Sequence, residues 1–423
     1  MQFSIAEMTE ASSIFLIIYG FIISEKVDRA VITLLGATIV VLFGPLSAAD
    51  AINFVDFDTL SLLVSMMILV SITRKTGVFQ YIAYKLVNWV EGSPVKILVL
   101  FSALTAVFSA LLDNVTTVVM IAPITLVVSK ALNVSPVPYL IAEILSSNIG
   151  GTATLIGDPP NIMIGSATGL SFMDFILNLG PVVLIIYIVT ITIIYLLYRR
   201  QLEVSDEIRE QIKNLNCEIS LKNKELVYKS LSILGLTLIG FMFHDLLGIE
   251  TAAVAIIGAL LLMLISKVNA DEAFREVEWA TIFFFAGLFI LVGALEKVGL
   301  LDLLARGILH ATQGNLAVTS ALTLWGAGLI SGFLDNIPFV ATAIPVIKGL
   351  SDNSQFLWWA LSLGACLGGN MTVIGASANV IVTGMAQKEG IKISFMDYLK
   401  IGLPLTLLAL LICQIYIYLR YLI

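Results

Sequence analysis

The sequence predicts an all-α polytopic membrane protein, with about ten transmembrane helices plus two re-entrant hairpins in two inverted repeats. Three observations carry this. Charged residues are only 13% and hydrophobic ones 59% of the 423-residue chain, whereas a soluble domain carries about 25% charged residues. Apolar runs of the length needed to cross a ~30 Å hydrocarbon core, about 20 residues, recur from end to end. Polar signatures foreign to ordinary membrane helices return in the same order in the second half. The first observation excludes a soluble enzyme and a disordered chain. The net charge of −7 decides little, because topology follows the placement of charge. Cys217, Cys366 and Cys413 lie far apart, and the histidines are His244 and His310, so there is neither a disulfide framework nor a zinc spacing. No basic tract invites nucleic acid.

In chain order, spans are expected near residues 11–24, 30–46 and 59–73. Glu7 and Glu10 stand where a cleavable leader would carry basic residues, so no cleaved leader is expected. Segments 95–112 and 115–130 are short, with Asp113-Asn114 between them. Such a pair suits a hairpin tip buried in protein rather than a loop at the lipid surface. A long helix over 139–167 is interrupted at 150–161, and 179–198 closes the first half. Residues 199–228 mix both charge signs at helical spacing and read as a cytoplasmic linker helix. The second half then runs through 230–247, 252–266, 279–294, 317–334, 337–350, 357–385 and 402–422.

The duplication is read from polar residues in register. Leu-Leu-Asp-Asn at 111–114 returns as Phe-Leu-Asp-Asn at 333–336. Ser-Phe-Met-Asp at 171–174 returns at 394–397. Gly150-Gly151, Ile156-Gly157 and Asn161 return as Gly368-Gly369, Ile374-Gly375 and Asn379. The first repeat is therefore placed at 1–198 and the second at 229–423. A hairpin crosses zero net times, which leaves five crossings per half and inverts the second copy. With both termini outside, every basic residue except Lys297, Arg306, Lys348 and Arg420 falls inside, as the positive-inside rule requires.

Inverted repeats with interrupted helices place substrate and ion sites near mid-membrane at the repeat interface. Two interruptions per half supply the candidates. The hairpin tips offer Asp113, Asn114, Thr116 and Thr117, then Asp335 and Asn336. The helix breaks, around 150–161 and 368–379, offer Asn148, Thr152, Thr154, Asp158 and Asn161, then Asn370, Thr372, Ser377 and Asn379. Glycines permit unwound backbone, and Pro159-Pro160 removes amide donors. Amides, hydroxyls and freed carbonyls can ligate a small cation, while half-helix N-termini suit an anion or a polar neutral solute. Intramembrane acids cost about 2.5–3.5 kcal/mol or more and mark function. Asp113, Asp335 and the unmated Asp158, whose counterpart is Ala376, are thus candidates for coupling to a proton or sodium gradient. Plainer roles compete: the aspartates also fit helix caps, and Glu143 is a weaker candidate inside its helix. Cys366 is a metalloid-ligand candidate, although a lone cysteine more often packs. His244, at a helix end by the outer surface, reads as a surface or interface residue, and Trp89, Trp325, Trp358 and Trp359 as interfacial anchors.

The run Ser147 to Asn161, with Gly150-Gly151 and Gly157-Asp158-Pro159-Pro160-Asn161, resembles the broken-helix motif of the ion transporter superfamily. Ser362 to Asn370, running on to Asn379, resembles its second copy. The Asp-Asn tips resemble the branch of arsenite permeases, NhaD-type sodium/proton antiporters and P proteins, rather than the dicarboxylate branch with Ser-Asn-Thr tips. The resemblance implies a homodimer, with a scaffold formed by the early helices of each half. The hairpins and broken helices would form a mobile part moving elevator-fashion. The expected function is secondary active transport in the plasma membrane, foremost arsenite or antimonite efflux coupled to protons or sodium. Sodium/proton antiport is the alternative, and anion or carboxylate transport the third reading. A small inorganic ion, oxyanion or metalloid is the expected cargo, a metalloid ATPase a possible partner, and no resident cofactor is expected. No His-Glu-x-x-His, Gly-x-Ser-x-Gly or paired-aspartate motif suggests an enzyme.

Overall fold

The computed structural model describes residues 5–24, 26–202, 204, 223–350 and 355–423, and among these there are helices and connections but no strand. The first half comprises α1 (Ile5–Ser24), α2 (Arg29–Phe43), α3 (Ala48–Phe54), α4 (Phe57–Lys75) and α5 (Val78–Trp89). It continues with α6 (Pro94–Leu111), α7 (Asn114–Ala131), α8 (Val137–Thr152), α9 (Pro159–Thr168) and α10 (Phe172–Tyr198). The second half comprises α11 (Lys224–Leu247), α12 (Thr251–Ser266), α13 (Ala270–Arg275), α14 (Trp279–Lys297) and α15 (Leu300–Thr312). It ends with α16 (Leu316–Phe333), α17 (Asn336–Leu350), α18 (Phe356–Gly368), α19 (Ser377–Lys388) and α20 (Phe395–Ile417).

Local chemistry explains the element ends. Asp28 and Asp56 cap α2 and α4 by accepting amide hydrogens of their first turns. The repeated Ser-Phe-Met-Asp is a helix start: Ser171 and Asp174 form a capping box on α10, and Ser394 accepts from the Asp397 amide on α20. Pro123 and Pro181 lie inside α7 and α10, as do Pro345 and Pro404 inside α17 and α20.

Among the described residues, nine helices are long and apolar enough to cross a membrane. These include α6, α7 and α16, arms of the expected hairpins, whereas α2 and α12 are shorter. Contacts between the halves come in exchanged pairs. α2 packs on α14 and α4 on α12, while α7 packs on α19 and α17 on α9. Within each half, α6 lies close on α8 and α16 close on α18. Glycine makes this approach possible: a Cβ on Gly150 would sit 2.1 Å from the Ala106 carbonyl oxygen, and one on Gly368 would sit 2.6 Å from that of Gly328.

Residues 205–222, most of the expected linker helix and Cys217 with it, lie outside the described residues, and α11 begins at Lys224, capped by Asn223. Two expectations change. His244 is buried, its ring meeting the Ile249 carbonyl at 3.0 Å and the Phe172 amide at 3.4 Å. Trp358 and Trp359 are also buried, Trp359 edge-on to Phe175, so they are packing residues rather than interfacial anchors. Trp89 is 74% exposed, as an anchor would be.

Candidate functional site

The two helix breaks are closed by asparagines. Asn161 donates to the Thr152 and Thr154 carbonyls at 3.1 and 2.8 Å, and Asn379 donates to the Gly369 and Thr372 carbonyls at 2.7 and 2.8 Å. Each side chain thereby satisfies acceptors that the interrupted helix leaves open. Their own carbonyl oxygens join the halves. Asn161 Oδ1 accepts from Ser362 at 2.6 Å and lies 3.6 Å from Cys366 Sγ. Asn148 donates to both Asn370 and Asn379 at 2.9 Å. The break threonines face backbone. Thr154 donates to the Ala110 carbonyl, Thr372 to that of Gly332 and Thr152 to that of Asn148.

Asp158 behaves differently. It occupies the cap position of α9 but makes no side-chain cap bond. Pro159 and Pro160 follow it, so the amides a capping carboxylate would normally use are missing or displaced. The carboxylate instead accepts from the tips of both hairpins: Asn114 at 3.3 Å, and Asn336 at 3.3 and 3.2 Å on its two oxygens. Asn114 also donates to Asn148 at 3.3 Å. All of these side chains are buried. Two neutral amides and the weakly donating Cys366 thiol solvate a buried carboxylate only partly, so the arrangement calls for a cation or further hydrogen-bond donors.

That space exists. A cavity of about 240 Å³ is lined by Asp113, Asn114, Thr116, Asp158, Asn336 and Ser377, with Met66 and Met67 from α4 opposite. Glu278 and Thr281 complete its polar wall. Among the described residues, its lining holds three acids, Asp113, Asp158 and Glu278, and no basic residue. Asp113 caps α7, accepting from the Thr116 amide at 2.6 Å, while facing the cavity. Asp335 lies in an adjoining recess, paired with Arg29 and 3.4 Å from Ser377 Oγ.

The expected residues therefore separate into groups. Asp113, Asn114, Thr116, Asp158, Asn336 and Ser377 share the cavity. Asn148, Thr152, Thr154, Asn161, Asn370, Thr372 and Asn379 hold the breaks and the contact between halves behind it. Thr117 is buried with no hydrogen-bond partner for its hydroxyl. Cys366 is buried behind Asn161 and does not line the cavity. Glu143 is buried between α7 and α8, hydrogen-bonded to Thr125 through one oxygen, with no partner on the other. Glu278, Thr281, Ser362 and Arg29 were not anticipated. Glu278 stands in register with Asp56, both preceding a long apolar helix, and that alignment is the signal that could have found it.

The sequence matches the profile of the citrate transporter family over residues 19–364. A 46 kDa membrane protein of Mycobacterium leprae is 40% identical over 423 residues, covering 98% of this chain and 99% of its own length. An uncharacterized transporter of Mycobacterium tuberculosis is 41% identical over 421 residues, covering 97% of this chain and 98% of its own length. The human P protein is 31% identical over 487 residues, which span 94% of this chain but 58% of the P protein. Among solved structures, the YdaH transporter of Alcanivorax borkumensis, described as having an unusual topology, aligns with a TM-score of 0.58 at 13% identity. The alignment covers 92% of this chain and 96% of that one. At that identity the likeness is one of fold.

Proposed function

The chain belongs to the citrate transporter family, within the ion transporter superfamily, and is a membrane transporter; on that premise we propose that its cargo is a small neutral hydroxide such as As(OH)3 or its antimony counterpart, moved against a proton or sodium gradient. The charge of the cavity carries this reading. Asp113, Asp158 and Glu278 face the same space with no basic residue among them. Asn114 and Asn336 use their amide hydrogens on Asp158 and keep carbonyl oxygens free to accept. An acceptor-rich lining suits a solute that brings three hydroxyl donors. A free tricarboxylate would set its charges against three acids with no basic residue among the described lining, since Arg74, the guanidinium nearest Asp113 and Glu278, is ion-paired with Glu276.

A second reading, sodium/proton antiport, is favoured by the same surplus of carboxylate, since a bare cation also completes the solvation of Asp158. The two readings separate in everted membrane vesicles that hold the protein under an imposed proton or sodium gradient. Uptake of radiolabelled arsenite that saturates, and that unlabelled citrate leaves unchanged, is the expected result. Sodium-dependent collapse of the proton gradient without arsenite uptake would replace the first reading with the second. Asp158→Asn abolishes arsenite uptake on the first reading and sodium-dependent collapse of the proton gradient on the second, while the protein still extracts as a folded species.

A further inference from the structure

Asp113 and Asp335 occupy matching positions at the two hairpin tips, yet their surroundings differ. Asp335 is ion-paired with Arg29, the side chains being 5% and 28% exposed. The pair joins two groups of helices: Arg29 opens α2, which packs on α1 and α14, and Asp335 ends the α16–α17 hairpin. The recess around it, about 400 Å³, is lined by Lys26 through Ala30 and by Ala280, Thr281 and Phe284.

A second recess of about 250 Å³ repeats these walls 222 positions away in sequence. Gly248 through Ala252 stand for Lys26 through Ala30, and Asp58, Thr59 and Leu62 stand for Ala280, Thr281 and Phe284. Two things are different there. Asp113, the matching tip residue, is not in the second recess but faces the central cavity, and α9 supplies the remaining wall through Gly165 and Ser166. Thr251 stands where the first recess has Arg29, beside Asp58, His244, Asp245 and Glu250. One recess thus holds a hairpin tip fastened by a guanidinium. Among the described residues, the other has equivalent walls, no tip and no basic residue other than His244.

We propose, resting on the transport reading above, that Asp335 is the binding site for the coupling cation and that Arg29 is its tethered competitor. While the α16–α17 tip sits in the first recess, the guanidinium neutralises the carboxylate. When the tip withdraws, Arg29 stays with α2, and Asp335 enters the protein interior with its charge uncompensated. A proton or a sodium ion must then take the place of the guanidinium. Asp113 has no such partner to exchange, because its matching recess presents Thr251, so this device operates in one half only. Among the described residues, the other charged and titratable groups around Asp335 are Tyr19 on α1, Lys26 and Asp28 ahead of α2, and Asp158, reached through Asn336. Glu278 lies beyond them across the central cavity. Lys26 is in the recess wall but makes no ion pair with Asp335, which leaves the exchange to Arg29.

The test measures cation binding directly on the purified full-length protein. Radioactive sodium is titrated at fixed pH, and the melting temperature is followed against pH without sodium; the two arms distinguish sodium from proton. Arg29→Gln removes the competitor and tightens cation binding about tenfold if Asp335 is free about a tenth of the time in the unsubstituted protein. Arg29→Lys restores the weaker binding. Asp335→Asn abolishes the gain, and Arg29→Gln adds nothing to it in the double variant. Binding no tighter in Arg29→Gln, or tightened binding that survives Asp335→Asn, overturns the proposal. So does a fall in melting temperature without any gain in affinity, which is what a purely structural ion pair gives. Arsenite flux is measured separately, so failure of the cargo reading leaves the cation result standing.

Discussion

Two neighbouring polar residues, Asp158 and Asn161, show how residue chemistry divides the site from its support. Both are fully buried and three positions apart. Asn161 is saturated: its amide closes on two carbonyls of its own helix break and its oxygen accepts from Ser362 of the other half. Among the described residues, Asp158 holds a carboxylate met by the Asn114 and Asn336 amides at 3.2–3.3 Å and by the Cys366 thiol, with no cationic partner. Their substitutions should therefore act in opposite ways. Asn161→Ala strands two carbonyls and a hydroxyl, each costing about 1–3 kcal/mol when left buried and unpaired. It should lower the melting temperature in detergent and reduce the yield of monodisperse protein. Asp158→Asn keeps the shape and removes a buried charge, so it should melt no lower than the unsubstituted protein while losing transport. A melting temperature that falls equally in both variants would assign Asp158 to the support. Sequence could not make this division, because Asp158 and Asn161 sit in one motif with similar apparent claims on a ligand. Only the direction of each side chain separates them, and that direction follows from Pro159 and Pro160 removing the local amide partners.

At the level of elements, punctuation was the legible part. Asp-Asn pairs, double glycines and prolines mark where helices stop inside an apolar environment, and α6–α7, α8–α9, α16–α17 and α18–α19 end where those residues stand. What apolar runs conceal is which face of a helix meets protein and which meets lipid. An apolar pattern therefore makes Trp358 and Trp359 look like anchors, although both are buried in protein contacts. The same blindness hid Glu278, which shares the cavity with Asp113, and Arg29, which pairs with Asp335, because those residues come from distant elements. The double glycines carry a second, packing meaning. Gly150 lets α8 lie against the backbone of α6, with the Ala106 carbonyl oxygen 2.1 Å from where a methyl group would be. Neither backbone atom can yield as a side chain would. Gly150→Ala should therefore cost at least the ~1–3 kcal/mol typical of overpacking and widen the α6–α8 contact that holds Asn114 beside Asn148. The expected outcome is a lower melting temperature together with weaker cargo uptake. Gly235→Ala, where an added methyl meets nothing within 4 Å, should change neither.

For the whole molecule, the two matching recesses make the opposite state of the transport cycle concrete. If the halves exchange roles during transport, the α6–α7 tip must come to occupy the recess of Gly248 through Ala252 as the α16–α17 tip now occupies that of Lys26 through Ala30. Ile337 and Ala30 line the occupied recess together. Their counterparts, Val115 and Ala252, line different spaces here, the central cavity and the empty recess respectively. Paired cysteines at these positions, in a background with Cys217, Cys366 and Cys413 replaced by serine, report the two states. Mercury should cross-link Ile337→Cys with Ala30→Cys in the resting protein. It should cross-link Val115→Cys with Ala252→Cys only slowly, and faster once cargo and its coupling gradient are supplied. Arg29→Gln should speed the second cross-link, since it removes the ion pair that favours the first state and has no equivalent at Thr251. Breaking a fully buried pair typically costs about 3–5 kcal/mol when it strands a charge, and less where one partner is 28% exposed as Arg29 is; a fully formed interior cation site would reduce that toward zero. The shift should therefore be large without coupling cation and small when the cation is saturating. A Val115–Ala252 cross-link that never forms during sustained transport would mean that the halves do not exchange roles, and the resemblance between the two recesses would then be a remnant of duplication with no part in the cycle.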